Sequence, residues 1–295
     1  MFMIAPRSST WVRLLSRLPK SESWLRLRVD QMASITDADL AERAYRQISI
    51  GNGITKQTAP ARFADLDEVV CRLVGASSRL RVHDVGVSSG ITSLELHTRL
   101  AAIRELHFFV SDRFARFRVT RSAYGVLIRD ANDEVLCGYA GPIYCDPATP
   151  RKYVISQLAY RQLLRAPVIE ETTLLLFDPG LMALIDSGEV SFIDFDVLAT
   201  AATAQKFDFV RCMNLLNLSY FTEPQIRQGI VNLASTLAPG AWLQIGRTHT
   251  DGSNHATFYV NDDGILRVVD RMGDGSEIEH LVSVPDPAVQ AHHLR

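Results

Sequence analysis

The stretch with the clearest capacity for ligand chemistry is Asp84-Val85-Gly86-Val87-Ser88-Ser89-Gly90. It follows a β-rich run and opens a helical one, so the pattern predicts a strand–loop–helix unit. Glycines let the backbone come close to a ligand, and the N-terminus of a helix offers free N–H groups to a carboxylate or phosphate. This loop is therefore the first candidate for a binding site.

Two common phosphate-binding motifs do not fit this loop. A dinucleotide loop of the form G-x-G-x-x-G needs glycine at positions 86, 88 and 91, where the chain has Gly86, Ser88 and Ile91. A P-loop needs a Gly-Lys-Ser/Thr step, which the loop lacks. A nicotinamide-dependent dehydrogenase therefore remains only an outside alternative.

The loop resembles instead the first motif of class I S-adenosylmethionine-dependent methyltransferases, in which an acidic residue precedes G-x-G-x-G. Asp84, Gly86 and Gly90 match that motif, and Ser88 replaces its middle glycine. The match is short, and its weight comes from further landmarks that follow in the same order along the chain.

Acidic residues at two later strand ends extend the resemblance. Asp112 ends the next strand, 22 residues after Gly90, at an interval where a carboxylate can accept hydrogen bonds from ribose hydroxyls. Asp196 resembles the family's acidic residue near the adenine amino group, and Phe195 beside it is placed to stack on adenine. The carboxyl ends of parallel strands meet at one edge of a sheet, where open α/β sheets bind ligands.

Two segments near the C-terminal end complete the resemblance, which covers roughly residues 80–269 outside 120–170. Phe207-Asp208-Phe209-Val210, followed by Asn214, resembles the fourth motif. Leu237 to Leu243 resembles the family's L-x-P-G-G-x-L step, with Ala241 in place of the second glycine.

The resemblance implies an α/β fold with a Rossmann-like, mostly parallel seven-stranded sheet and helices on both faces. It implies S-adenosylmethionine as cofactor and methyl transfer to an O, N or C nucleophile of a small-molecule acceptor. The residues expected to bind the cofactor are Asp84 (near the methionine ammonium), Gly86, Ser88, Gly90, Asp112, Phe195, Asp196 and Asn214.

Three side chains are candidates for contact with the reacting groups. His249 follows a strand that ends at the same sheet edge and is our candidate general base. Asn214 would face the methyl donor or the acceptor, and Tyr220 could orient the acceptor. The irregular spacing of His249, Asp251 and His255 predicts no metal site.

Two other functions remain open on the sequence. Cys212 to Phe221 is similar to the C-R-N-x-L-x-Y-F stretch of chemotaxis receptor glutamate methyltransferases, although Met213 stands where those proteins have arginine. The alternative is therefore a protein-glutamate methyltransferase. Because Ser88 and Ala241 replace expected glycines, a non-catalytic, methyltransferase-like binding protein is the other alternative.

The surrounding elements predict how these residues are held. Thr222-Glu223-Pro224-Gln225 has a capping-box pattern and opens a helix that Pro239-Gly240 would end. Residues 36–74 are interpreted as helices, and the stretch from Tyr124 to Tyr139 as a β-hairpin. We expect a basic segment and helical cap over residues 1–76 and a methyltransferase-like α/β domain over 77–295, with an insertion at about 120–172.

Composition indicates which kinds of partner and which cellular location to expect. The 295 residues carry a formal net charge of -2, which does not suggest nucleic acid as a partner. The four cysteines lack CxxC spacing, which favours a reducing, cytoplasmic location. No apolar run is long enough for a transmembrane segment, but the basic first thirty residues could contact a membrane surface or a partner protein. A homodimer is also possible.

Overall fold

The computed structural model describes residues 5, 10, 28–34, 47–51, 54–74, 79–147, 153–199 and 205–282. Its strands are β1 (Gln47–Gly51), β2 (Ile54–Gln57), β3 (Arg79–Val85), β4 (Glu105–Ser111), β5 (Arg116–Ser122), β6 (Gly125–Arg129), β7 (Val135–Ala140), β8 (Ile143–Cys145), β9 (Glu170–Leu175), β10 (Val190–Phe192), β11 (Phe207–Met213), β12 (Leu237–Thr248), β13 (Asn254–Asp262) and β14 (Ile265–Met272). Its α-helices are α1 (Ala64–Leu73), α2 (Ile91–Ala101), α3 (Val154–Arg165), α4 (Pro179–Ser187), α5 (Glu223–Ser235) and α6 (Glu279–Val282), and a 3₁₀-helix spans Val29–Ser34.

The chain divides into two compact units. One unit comprises residues 1–59 and 114–179, and the other comprises residues 60–113 and 180–295. Helix α1 belongs to the second unit, where it contacts α2 and β13.

The second unit is built on a mostly parallel seven-stranded sheet, in agreement with the expected fold class. Its strand order is β10-β4-β3-β11-β12-β13-β14. The first five strands pair in parallel, and the β13–β14 hairpin adds two antiparallel strands at one edge. Numbered along the chain within this sheet, the order is 3-2-1-4-5-6-7, which begins like the doubly wound α/β arrangement.

Helices cover both faces of this sheet, as neighbouring residues of β11 demonstrate. Successive side chains of a strand point to opposite faces. Val210 and Cys212 belong to the hydrophobic core that includes Ile226 and Ile230 of α5. Arg211, between them, reaches the main-chain oxygen of Thr92 in α2. One sheet face therefore packs on α5 and the other on α1 and α2.

Helix α5 begins as the sequence predicts. Thr222 and Gln225 form the reciprocal capping box, with the Thr222 N–H donating to Oε1 of Gln225 at 3.0 Å. The helix ends at Ser235, and Pro239-Gly240 lies inside β12 rather than at the helix end. The predicted stop is therefore four residues too late.

The first unit contains a five-stranded antiparallel sheet in the order β8-β7-β6-β5-β9. The predicted hairpin is confirmed as β6 and β7, which pair antiparallel. Helix α3 packs on this sheet through Leu163, which clusters with Leu127 and Cys145. Cys145 and the other three cysteines are free thiols.

The predicted N-terminal helical cap is wrong over residues 47–51 and 54–57, which form the antiparallel β1–β2 hairpin. In the sequence, the Gln-Ile-Ser-Ile alternation is a strand signal and Gly-Asn-Gly is a turn signal. Within the range 36–74 that is interpreted as helices, residues 64–73 are confirmed as α1. Residues 36–46 of that range and most of the basic N-terminal segment lie outside the described residues.

None of the helices in the described part of the chain is both long and apolar enough to cross a membrane.

Candidate functional site

The loop between β3 and α2 has an unusual backbone. Three of its five residues are left-handed, with φ of +75° at Gly86, +58° at Ser88 and +83° at Gly90. Ser88 therefore adopts the left-handed conformation that usually requires glycine, although serine tolerates this conformation poorly. The main-chain N–H of Gly86 donates to the carbonyl oxygen of Ser111 at 2.8 Å, which holds the loop against the end of β4.

Leucine side chains pack against both glycines. A Cβ atom at position 86 would lie 2.9 Å from Cδ2 of Leu215, and one at position 90 would overlap Cδ2 of Leu181. A side chain at either position would require the neighbouring leucine to move, whether or not a ligand also approaches the loop.

We expect Gly90→Ala to lower the free energy of unfolding by about 1–3 kcal/mol, because the alanine would be held at a positive φ and would displace Leu181. Chemical denaturation measures this change. Gly252→Ala is the matched control, since Gly252 also has a positive φ of +87° but nothing lies within 4 Å of its added Cβ. An equal loss in the two variants would show that packing on Leu181 contributes nothing.

Asp112 and the loop are brought together, as the sequence predicts. Asp112 directly follows β4, and its Oδ2 accepts a hydrogen bond from the main-chain N–H of Ser88 at 2.7 Å. A carboxylate has about four acceptor positions, so this bond is compatible with further acceptance from a ligand hydroxyl. The candidate ribose-binding carboxylate thus also fixes the loop.

Asp84 is placed differently from the expectation. Its Oδ1 accepts from Nε of Arg211 at 2.9 Å, and its Oδ2 accepts from Nη2 of Arg211 and from the Ser93 hydroxyl. The Asp84 side chain is buried. Direct contact with a ligand ammonium does not fit this arrangement, because both carboxylate oxygens already pair with groups of the protein.

Arg211 joins Asp84 to a second buried carboxylate. Its Nη1 donates to Oδ1 of Asp67 at 2.9 Å, and both side chains are buried. Oδ2 of Asp67 has no hydrogen-bond partner among the described residues. Burial raises the pKa of Asp67 to about 6, against the opposing influence of Arg211. The ion cluster sits on the α1–α2 face of the sheet, beneath the loop.

The raised pKa of Asp67 predicts a pH dependence of stability. Between its ordinary pKa of 3.8 and about 6, the folded protein keeps a proton that the unfolded chain has released. The free energy of unfolding therefore falls as the pH rises through this window, by up to about 1.4 kcal/mol per pH unit.

Asp67→Asn should remove this contribution and flatten the profile of unfolding free energy against pH between about 4 and 6. Glu68→Gln is the matched control, because Glu68 is an exposed carboxylate on the same helix. Denaturant titrations at several pH values provide the measurement. Parallel profiles for the wild-type protein and Asp67→Asn would contradict the assignment.

Phe195 and Asp196 lie in the loop after β10. This loop leaves the sheet beside β4, since the Ile193 N–H donates to the Val110 carbonyl at 3.0 Å. Asp196 is exposed, and its Oδ1 accepts from the Leu198 N–H at 2.9 Å. Phe195 is half-buried and packs edge-on against His83, with ring centroids 5.1 Å apart. Only part of the Phe195 ring is therefore open to a ligand.

Asn214 links the ends of β11 and β12. Its Oδ1 accepts from the Thr248 N–H at 2.7 Å, and its backbone is left-handed with φ of +58°, a conformation that asparagine tolerates. His249 follows Thr248, is exposed, and stacks on His255 with ring centroids 4.1 Å apart. Asn214 and His249 are thus neighbours at the same sheet edge.

Tyr220 lies in the turn before α5 and is 72% exposed. Among the described residues, no hydrogen bond or ring contact joins its side chain to Asn214 or His249, although it is close enough to Arg62 to favour that residue's charged form. The structure therefore places Tyr220 at the periphery of the other two candidates.

Arg62 is a further side chain near this site, and it is not among the residues that the sequence motifs predict. Its Nε donates to Oγ1 of Thr248 at 3.0 Å, which brings a cation to the strand end that Asn214 also contacts. Burial lowers the pKa of Arg62, with Tyr220 acting in the opposite direction. No motif surrounds Arg62 in the sequence, and only the packing of α1 near β13 reveals its position.

These contacts converge at the point where the strand order reverses. β3 has β4 on one side and β11 on the other, and the loop, Asp112 and Asn214 follow the carboxyl ends of those three strands. Open α/β sheets bind ligands in the crevice at this position. In the described part of the chain, no group of three His, Cys, Asp or Glu side chains is arranged to hold a metal ion.

In the comparisons with known proteins, this chain is similar only to solved structures. No protein-family model matches the chain, and no curated protein matches it. An O-methyltransferase family protein from Burkholderia thailandensis is 16% identical with a TM-score of 0.34, over 64% of this chain and 38% of that one. This chain thus spans about four tenths of the length of the Burkholderia protein.

Two further solved structures are similar at the same level. The N-methyltransferase NodS from Bradyrhizobium japonicum, solved with S-adenosyl-l-homocysteine, is 14% identical with a TM-score of 0.32, over 74% of this chain and 70% of that one. The PH0226 protein from Pyrococcus horikoshii OT3 is 12% identical with a TM-score of 0.35, over 75% of this chain and 79% of that one.

Proposed function

We propose that this chain binds S-adenosylmethionine at the carboxyl ends of β3, β4, β10 and β11 and transfers its methyl group to an O, N or C nucleophile of a small molecule. The observation that carries the proposal is the hydrogen bond between the Ser88 N–H and Asp112. It unites a left-handed glycine loop and a strand-end carboxylate at the point where the strand order reverses, a combination suited to a nucleoside.

The candidate residues fit some parts of S-adenosylmethionine better than others. Asp112 offers a carboxylate to the ribose hydroxyls, and the exposed Asp196 offers one to the adenine amino group. Phe195 offers the accessible part of its ring to the adenine. The loop from Gly86 to Gly90 would border the methionine portion. Asp84 contributes indirectly, because its ion pair with Arg211 supports the strand from which the loop departs.

The bound cofactor would supply an electrophilic methyl group on a sulfonium. The chain would hold the acceptor close to it and exclude water, which is the main contribution that a protein makes to such a displacement. Asn214 is tied to Thr248 and is therefore a rigid hydrogen-bonding group at this edge. The exposed His249 ring could accept the proton that an O or N nucleophile loses.

Calorimetric titration with S-adenosylhomocysteine and S-adenosylmethionine tests the binding step. We expect saturable binding in roughly the micromolar range, and no binding of NAD under the same conditions. An absence of heat with both sulfur compounds, on protein shown to be folded by circular dichroism, would refute the proposal.

A second candidate function is a non-catalytic protein that keeps the same sheet edge for ligand or partner binding. The observation that favours it is the burial of Asp84 against Arg211, together with leucine packing on Gly86 and Gly90. Only the first candidate function, the enzyme, would consume S-adenosylmethionine and form a methylated product. Incubation with methyl-labelled S-adenosylmethionine and a panel of small phenols, amines and carboxylic acids would give labelled product only for the enzyme.

A further inference from the structure

Exposed apolar side chains are concentrated in one short segment of the first unit. In the described part of the chain, 13 large hydrophobic side chains are exposed, and six of them lie between residues 154 and 169. These are Val154, Ile155, Leu158, Leu164, Val168 and Ile169. Scattered exposed apolar residues need no explanation, whereas a concentration of them marks an interaction surface.

The apolar side chains are not part of the hydrophobic core beneath α3. That helix buries Ala159 and Leu163, and Leu163 packs with Leu127 and Cys145 of the antiparallel sheet. Leu158 is 59% exposed on the opposite side. The helix therefore has one apolar surface for the sheet and a second one that faces solvent.

Basic side chains accompany this second surface. Arg161 and Arg165 follow Leu158 at spacings of three and seven residues, which places them on the same helix face, and both are exposed. Residues 151–169 contain four basic residues and no acidic ones, in a chain whose net charge is -2. The nearest acidic residues on the C-terminal side, Glu170 and Glu171, contact Arg121 and Arg118 of β5.

We propose that the segment from Val154 to Ile169 is a docking surface for a membrane that carries anionic lipids. Apolar side chains flanked by arginines match the chemistry of an acyl-chain boundary beneath negatively charged headgroups. Helix α3 has 12 residues and is about 18 Å long, so it would lie in the plane of the interface rather than cross the membrane.

Charge makes a second copy of the chain a poorer occupant. A two-fold symmetric contact places the same patch of both subunits face to face. Arg161 and Arg165 of one copy would then lie near the same residues of the other, in an apolar environment that strengthens their repulsion.

Flotation of the full-length protein with lipid vesicles tests the charge component. We expect binding to vesicles of phosphatidylcholine and phosphatidylglycerol, weak binding to phosphatidylcholine alone, and a decrease with added salt. Arg161→Gln and Arg165→Gln should each weaken binding about fivefold, the usual contribution of one basic residue near an anionic surface. Arg267→Gln, an exposed arginine of β14, is the matched control.

Exposed positions allow the apolar component to be tested without disturbing the fold. The double variant Ile155→Gln/Leu158→Gln should bind at least about tenfold more weakly, while Val231→Gln on the exposed face of α5 should bind as the wild type does. In addition, Leu158→Trp should show a blue shift of tryptophan fluorescence when anionic vesicles are added, and Val231→Trp should not.

Three results would overturn this proposal. The first is a wild-type protein that does not float with anionic vesicles. The second is vesicle binding that the α3 substitutions leave unchanged, which would assign the binding to another part of the chain. The third is concentration-dependent self-association without lipid that Ile155→Gln/Leu158→Gln abolishes, which would identify a second copy as the occupant.

Discussion

Arg211→Met should lower the free energy of unfolding by about 3–5 kcal/mol at neutral pH, the range found when one partner of a buried ion pair is removed. Arg211 is the cation that pairs with both Asp84 and Asp67. Methionine nearly fills the same volume but leaves two carboxylates buried without a counter-charge. Urea denaturation followed by circular dichroism gives the change directly.

The loss should shrink as the pH is lowered, because protonation of the two carboxylates removes the uncompensated charge. This direction of the pH dependence distinguishes the electrostatic explanation from a packing defect, because the stability loss from a packing defect would be nearly independent of pH. Arg79→Met is the matched control. Arg79 makes a similar ion pair with Glu105 on the same sheet, but both side chains are exposed, so the expected loss is at most about 1 kcal/mol. Similar losses in the two variants would contradict the assignment.

The mostly parallel sheet could be predicted because each of its strands carries a local signal. β3, β4, β11 and the helix α5 have the expected apolar patterns, and α5 also has its capping box. The sequence alone therefore predicts which residues follow these strands at the sheet edge. Asp112 and Ser88, 24 residues apart in the chain, illustrate this, since they are joined by a hydrogen bond.

Properties that depend on which strand face a side chain occupies were harder to predict. Asp84 matches an acidic motif position, yet its side chain pairs with Arg211, which lies 127 residues later in the chain. Nothing in the local sequence of β11 distinguishes a buried arginine from an exposed one. Arg62 likewise has no local signal, because its contact with Thr248 spans 186 residues.

The β1–β2 hairpin is difficult to predict from the sequence for a different reason. Residues 47–57 combine isoleucines with short polar residues, and such brief runs are compatible with both helix and strand. The Gly-Asn-Gly turn signal fits a connection between two helices as well as one between two strands. Pairing between the two strands decides the outcome, and pairing is not a property of either segment alone.

Asp112→Ala should weaken binding of S-adenosylhomocysteine by about 10- to 100-fold, on the premise of the proposed function. The variant removes a charged acceptor for the ribose hydroxyls, and hydrogen bonds to charged groups contribute about 1.5–3 kcal/mol each. It also frees the Ser88 N–H, so the left-handed loop loses one of its contacts with the end of β4 and keeps the bond from the Gly86 N–H to the Ser111 carbonyl. Calorimetry gives the affinity, and a thermal melt gives the accompanying change in stability.

Asp112→Asn separates the two roles of this carboxylate. The asparagine oxygen can still accept from the Ser88 N–H, so the loop should stay in place and the melting temperature should change little. The negative charge that favours two ribose hydroxyls is lost, so affinity should still fall. Asp186→Asn, on the exposed side of α4, is the matched control and should leave affinity unchanged. Wild-type affinity in both Asp112 variants would mean that any nucleoside binds elsewhere, and the sheet-edge site would have to be abandoned.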